Sequence, residues 1–159
     1  MFALWVRSEP VRLTSTRDAS LVFVCQNGVA MSLWSALMFN RMAAAYGLST
    51  RATSRAAAAT FTGVPPQMTF ALLTDGFRLD GYKPQVVDAG DVARTLRVIL
   101  IDTQLPPAVS ASEARVERWG GFPPMREQYF ASRAALQVKL NALVASIAAE
   151  ERAWGGVIR

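Results

Sequence analysis

The sequence predicts an α/β protein: a three-layer sandwich with a central four-stranded parallel sheet and helices on both faces. Three observations lead there. "LVFVC" (residues 21–25) and "RVILID" (residues 97–102) are apolar runs rich in β-branched residues, as expected of strands buried on both faces. Segments with helical spacing lie between and after them. Strands that alternate with helices close into a parallel sheet through crossover connections.

The elements follow in order. Residues 1–19 read as an N-terminal extension, interrupted by Pro10, with one edge strand from Phe2 to Val6. Residues 20–150 form the single α/β domain, and 151–159 a C-terminal tail. After the first strand, Leu33, Trp34, Leu37, Met38, Met42 and Ala45 recur at helical spacing. Ser32 suits the N-cap or first turn of this helix, and Gly47 its end. "LSTRATS" (48–54) reads as the second strand. "VPPQMTFALLTDGF" reads as a helix opened by Pro65 or Pro66 and ended near Gly76. "DAGDVARTL" is a short helix with an acidic start. "RVILID" is the third strand and "ARVERW" the fourth. From Met125 onward, Tyr129, Leu136, Leu140, Leu143 and Ile147 mark an amphipathic closing helix.

Composition removes several function classes. Among 159 residues, 52% are apolar and 18% charged, which is a folding and not a disordered composition. No apolar run approaches the ~18 residues that cross a bilayer. "MFALWV" is too short for a signal-peptide core, so a cytoplasmic protein without a membrane role is expected. One cysteine leaves no internal disulfide and no cysteine-based zinc site. The absence of histidine removes Ser-His-Asp and Cys-His chemistry. No metal and no cofactor is expected. The net charge of +5 favours anionic partners in general. The arginines are scattered, with no basic run interleaved with aromatics, so nucleic acid is not an expected partner.

The informative stretch is "LVFVCQNGVAMS". Cys25 ends a predicted strand, and a short loop leads into a helix. Ligands of open α/β sheets bind beyond the carboxyl ends of the strands. Helix N-termini offer free N–H groups and partial positive charge, which favour an anion and a thiolate. Position alone also fits a small buried residue at a strand end.

The stretch resembles the opening of the low-molecular-weight protein tyrosine phosphatases and the arsenate reductases that share their fold. Their pattern is an apolar strand, C-x5-R-S, then a helix with small residues. Further along, Gly76, Phe77, Leu79, Gly81, Tyr82 and Lys83 resemble the family's G-[IF]-x-L and Gly-[HY]-[KR] segments. "VILID" resembles the strand that ends in Met-Asp. "RWGGFPPM" is similar to W-G-[FIV]-P-D-P, the loop that carries the acid. "SRAALQVKLNAL" matches the closing helix, with Arg133 in its usual place. The likeness covers roughly residues 20–148.

The resemblance implies three roles: a cysteine that attacks phosphorus, loop amides and an arginine that hold the phosphoryl oxygens, and an aspartate that protonates the leaving group. Cys25 and Ser32 match as nucleophile position and thiolate partner. Gln26, Asn27, Gly28, Val29, Ala30 and Met31 form the loop. Gly28 falls where the family has a left-handed asparagine, a conformation that glycine accepts without steric cost. The arginine position holds Met31, and the acid position falls on Pro123. Losing one oxyanion donor typically costs ~3–4 kcal/mol, or ~10²–10³ in rate. General acid catalysis is worth roughly 10²–10⁴. The expectation is therefore a pseudophosphatase that binds a phosphate-like anion, a phosphorylated ligand or a protein partner. One alternative is a divergent active phosphatase in which Arg55 or Arg126 replaces the cation and Glu117 or Glu127 the acid. The other is an interaction module that forms a homodimer through residues 1–19. Arsenate reduction through a second internal cysteine is excluded.

Overall fold

The computed structural model describes residues 19–58, 60–79 and 81–157. The expected edge strand Phe2–Val6 and the extension before Ala19 lie outside the described residues.

The chain runs β1 (Leu21–Cys25), α1 (Met31–Ala45), β2 (Ala52–Ala56), α2 (Pro66–Thr74), α3 (Ala89–Arg94), β3 (Arg97–Ile101), a 3-10 turn (Glu113–Arg115), β4 (Val116–Trp119) and α4 (Tyr129–Val157). The four strands pair in parallel in the order β2-β1-β3-β4. No helix among the described residues is long and apolar enough to cross a membrane.

The alternation of side chains along β1 decides the layers. Leu21, Phe23 and Cys25 face one core, built with Leu33, Trp34, Leu37 and Phe39 of α1 and with Leu136, Leu140, Leu143 and Ile147 of α4. Val22 and Val24 face the other way, onto Val98 and Leu100 of β3 and Val92 of α3. Phe23 stacks obliquely on both Phe39 and Trp119, with centroids 6.2 and 5.7 Å apart. Each such side chain, fully buried, stabilises the fold by about 1.5–3 kcal/mol.

Several boundaries differ from the sequence expectation: β4 starts at Val116 after a 3-10 turn, α4 starts at Tyr129, and two further differences meet at Glu151. β2 begins at Ala52 and not at Leu48. Glu151 explains this: its carboxylate accepts from the backbone N–H groups of Ser49 and Thr50, at 2.8–3.1 Å, and from both hydroxyls. Those donors are therefore turned towards α4 and not into the sheet. Glu151 makes this contact from within α4, which continues through residues 151–157, expected as a tail.

Candidate active site

Cys25 is the last residue of β1 and is 4% exposed. Its sulfur lies 3.0 Å from Ser32 Oγ, which lies 2.8 Å from Ser54 Oγ. Tyr82 extends the chain of hydroxyls: its OH is 3.2 Å from Ser54 Oγ and donates to the Gly28 carbonyl at 2.7 Å. Burial pushes the Tyr82 phenol up to about 12. Ser32 lies in the first turn of α1, one of the two places expected for it. The helix begins at Met31 after Ala30, without a side-chain cap, and the serine hydroxyl turns inward to the sulfur.

The loop between Cys25 and Ser32 is held from several sides. The carbonyls of Cys25 and Gln26 accept from Ala57 N and Ala58 N at 2.9 and 3.0 Å. The Thr103 hydroxyl donates to Gln26 Oε1 at 3.0 Å, and the Thr60 hydroxyl to Asn27 Oδ1 at 2.6 Å. Gly28 has φ +68°, and a Cβ there would lie 3.0 Å from Ala56 Cβ and 3.1 Å from Ala56 N. Glycine is thus required twice, by the left-handed backbone and by the close approach of β2. Among the described residues, no N–H from Gln26 to Leu33 donates to a backbone carbonyl. Val29 is buried, while Ala30 and Met31 are half-buried against the core that holds Trp34.

Arg55 is a correction. Expected beside the loop, it points to the opposite face of the sheet, because it alternates with Ser54 and Ala56 along β2. Its Nε bonds Asp91 Oδ2 at 3.1 Å, and Nη1 bonds Ser54 O at 2.9 Å and Thr53 Oγ1 at 3.3 Å. Both partners of the ion pair are buried, and Asp91 also completes the capping box of α3 with Asp88. Arg55 is therefore committed to the α3 layer. Among the described residues, no arginine side chain hydrogen-bonds to the loop 25–32; Arg55 meets it only through its backbone carbonyl, which accepts from Ser32 Oγ at 3.4 Å.

The loop after β4 carries the expected acid position. Its scaffold is set by Asp102, at the end of β3. The Asp102 carboxylate accepts from Gly121 N at 2.8 Å and Phe122 N at 3.2 Å, while its own N–H donates to Trp119 O at 2.8 Å. Asp102 has φ +47°, a left-handed conformation that aspartate tolerates better than most residues. Pro123 is half-buried in this loop and carries no titratable group. Glu117 accepts from Trp119 Nε1 at 2.8 Å, and Glu127 is exposed in a turn on Pro124. Arg126 lies over the Phe61 ring, 5.2 Å from its centroid.

No family model and no curated protein matches this sequence. Solved structures do. YfkJ from Bacillus subtilis superposes with a TM-score of 0.72 at 19% identity, over 83% of this chain and 96% of that one. An arsenate reductase from Archaeoglobus fulgidus gives 0.64 at 22%, over 79% and 98%. A low-molecular-weight protein tyrosine phosphatase from Bacillus subtilis gives 0.69 at 17%, over 83% and 98%.

The chain has the low-molecular-weight protein tyrosine phosphatase fold.

Within this fold, the structure brings Cys25, Ser32 and Gly28 together as the sequence expected, with Met31 as the first residue of α1 and Pro123 in the loop after β4. It removes Arg55. Sequence reasoning passed over Ser54 and Asp102. Ser54 shares a face with Cys25 only once the register Cys25↔Ala56 is known. Asp102 ends the "RVILID" run, but nothing local to it signals that its carboxylate holds a loop 19–20 residues away.

Proposed function

We propose that this phosphatase-like protein binds a tetrahedral oxyanion on the Cys25 loop and performs little or no phosphoryl transfer. The observation that carries the reading is residue 31. A thioether, packed half-buried on the core, occupies the position where the resemblance calls for a guanidinium. The amides of residues 26–33 support the binding half, since N–H groups without an internal acceptor suit an anion at a helix start. Glycine at position 28 keeps the loop in the left-handed turn that this arrangement needs.

The catalytic half is what the residues lack. Phosphoryl transfer relies on positioning and on neutralising charge that spreads over the equatorial oxygens. Met31 offers no charge and no donor. A leaving alkoxide needs a proton, and Pro123 cannot give one. The Cys25 thiol remains in place with Ser32 at 3.0 Å, which suits ligand contact without turnover.

A repair tests the reading. The natural chain and the Met31→Arg/Pro123→Asp variant are assayed side by side for hydrolysis of an aryl phosphate. Asp102 already fixes the amides of Gly121 and Phe122, so an aspartate at 123 enters a held loop. The expected result is turnover that rises at least a hundredfold in the variant, from two terms each worth roughly 10²–10⁴, allowing for non-additivity. Turnover by the natural chain that vanishes in Cys25→Ser would overturn the proposal in favour of a divergent active phosphatase.

A further inference from the structure

We propose that Arg126 is the cation of this site, and that it pairs from the rim with a tetrahedral dianion seated on the Cys25 loop. The proposal rests on the oxyanion reading given above and names the charge that the loop itself lacks.

The other arginines near the core are taken. Arg55 is held by Asp91, Arg133 by Asp75, Arg97 by Glu150 and Arg118 by Glu113. Arg115 is held by the carbonyls of Val92 and Thr95, and Arg41 by the Asp75 carbonyl and the Phe77 ring. Arg126 is exposed, and its guanidinium rests on Phe61. Phe61 follows Thr60, whose hydroxyl bonds Asn27 of the Cys25 loop. A short path of contacts therefore runs from the loop to the cation: Asn27, Thr60, Phe61, Arg126.

Arg126 is also held in place. The preceding Met125 is 2% exposed in the main core, and the turn is closed by Glu127 N and Gln128 N on Pro124 O at 3.3 and 2.8 Å. The start of the same loop is fixed by Asp102. The loop's own polar side chains are neutral and paired, Gln26 with Thr103 and Asn27 with Thr60, while the nearby Asp102 carboxylate is occupied by Gly121 N and Phe122 N. A stacked guanidinium keeps its donors in plane and free at the edge, ready for charge-assisted hydrogen bonds to an oxyanion.

The shared chemistry is a tetrahedral phosphate dianion, either free or as a monoester. Titration calorimetry of the full chain with inorganic phosphate and with phenyl phosphate separates these sources. Arg126→Ala is expected to weaken the bound probe about tenfold, the lower end for a charge-assisted contact because the side chain is exposed. Arg126→Lys should recover part of the loss. Lys139→Ala removes an equal charge from α4 and should change affinity less than twofold. Preference for phenyl phosphate assigns the site to an ester, and equal binding to the free ion. Either supports the proposal if Arg126→Ala weakens it. A natural chain that binds a probe which Arg126→Ala binds equally well overturns the Arg126 assignment alone. A natural chain that binds neither probe overturns the oxyanion reading, and this proposal with it.

Discussion

The loop after β1 and the loop after β4 open at the same end of the sheet, and they are built by different means. Residues 25–32 are bonded from outside by Ala57, Ala58, Thr60 and Thr103, and they also depend on their own identities. Gly28 fits only as glycine against Ala56, Ser32 reaches the sulfur, and the Gly28 carbonyl is tied to Tyr82. Residues 120–124 are held from outside, by the Asp102 carboxylate on Gly121 and Phe122. The first loop can therefore change charge at Met31, which faces the core edge, but little else. The second should tolerate change at residue 123, since the hydrogen bonds from Asp102 that shape the loop go to Gly121 and Phe122 and not to that residue. Chemistry and scaffold separate at different residues in the two loops.

The largest expected effect tests the wall behind the first loop. Arg55→Ala should destabilise the protein by about 3–5 kcal/mol, because it leaves Asp91 buried without its partner. Denaturant unfolding would measure this, and phosphate binding should be unchanged. The opposite pattern, unchanged stability with weakened binding, would mean that Arg55 serves the loop after all.

Glycine replacements compare the two loops directly. Gly28→Ala combines a left-handed backbone, worth about 1–2 kcal/mol, with a contact at 3.0–3.2 Å to Ala56, worth about 1–3 kcal/mol more. Gly121→Ala meets nothing within 4 Å of its Cβ, so only the backbone cost of φ +81° remains, about 1–2 kcal/mol. Unfolding midpoints should rank Gly28→Ala below Gly121→Ala. Equal losses would mean that Ala56 shifts freely and that the first loop is not locked by close approach.

The layers of the fold were legible because they follow from periodicity. The β-branched runs at 21–25 and 98–101, and the apolar spacing of Leu136, Leu140, Leu143 and Ile147, predict buried faces that the structure contains. β2 was harder. "ATSRA" is fully buried yet polar, and its burial depends on Asp91 accepting from Arg55 and on hydroxyls meeting Tyr82 and Ser32. Those partners lie far away in sequence, so no local pattern signals them. The direction of Arg55 was misread for the same reason: a side chain's face is set by register, and one residue of shift in β2 reverses it. Cys25, Ser32 and Gly28 were legible because their spacing is short and fixed by one turn. Asp102 was not, because it acts on a loop beyond β4.

The smallest effect tests the tie between Tyr82 and the first loop. At neutral pH, Tyr82→Phe removes the bonds to Gly28 O and Ser54 Oγ and should cost about 0.5–1.5 kcal/mol. Alkaline pH adds a sign that a mere packing role would lack. An ordinary tyrosine titrates near ~10, and burial pushes Tyr82 up to about 12. The folded state thus holds this proton more tightly than the unfolded state. Its contribution is complete below about pH 10 and is lost as pH rises through the folded value. Tyr129 is raised in the same direction, first by burial and then by Asp75, so the natural chain carries both losses. The Tyr82→Phe chain keeps only the second. The stability gap between the two chains should therefore narrow from about pH 10 upward, as read by urea unfolding at each pH. A gap that stays constant across that range would mean that Tyr82 is already hydrated in the native state, and that the first loop is less firmly held than the second.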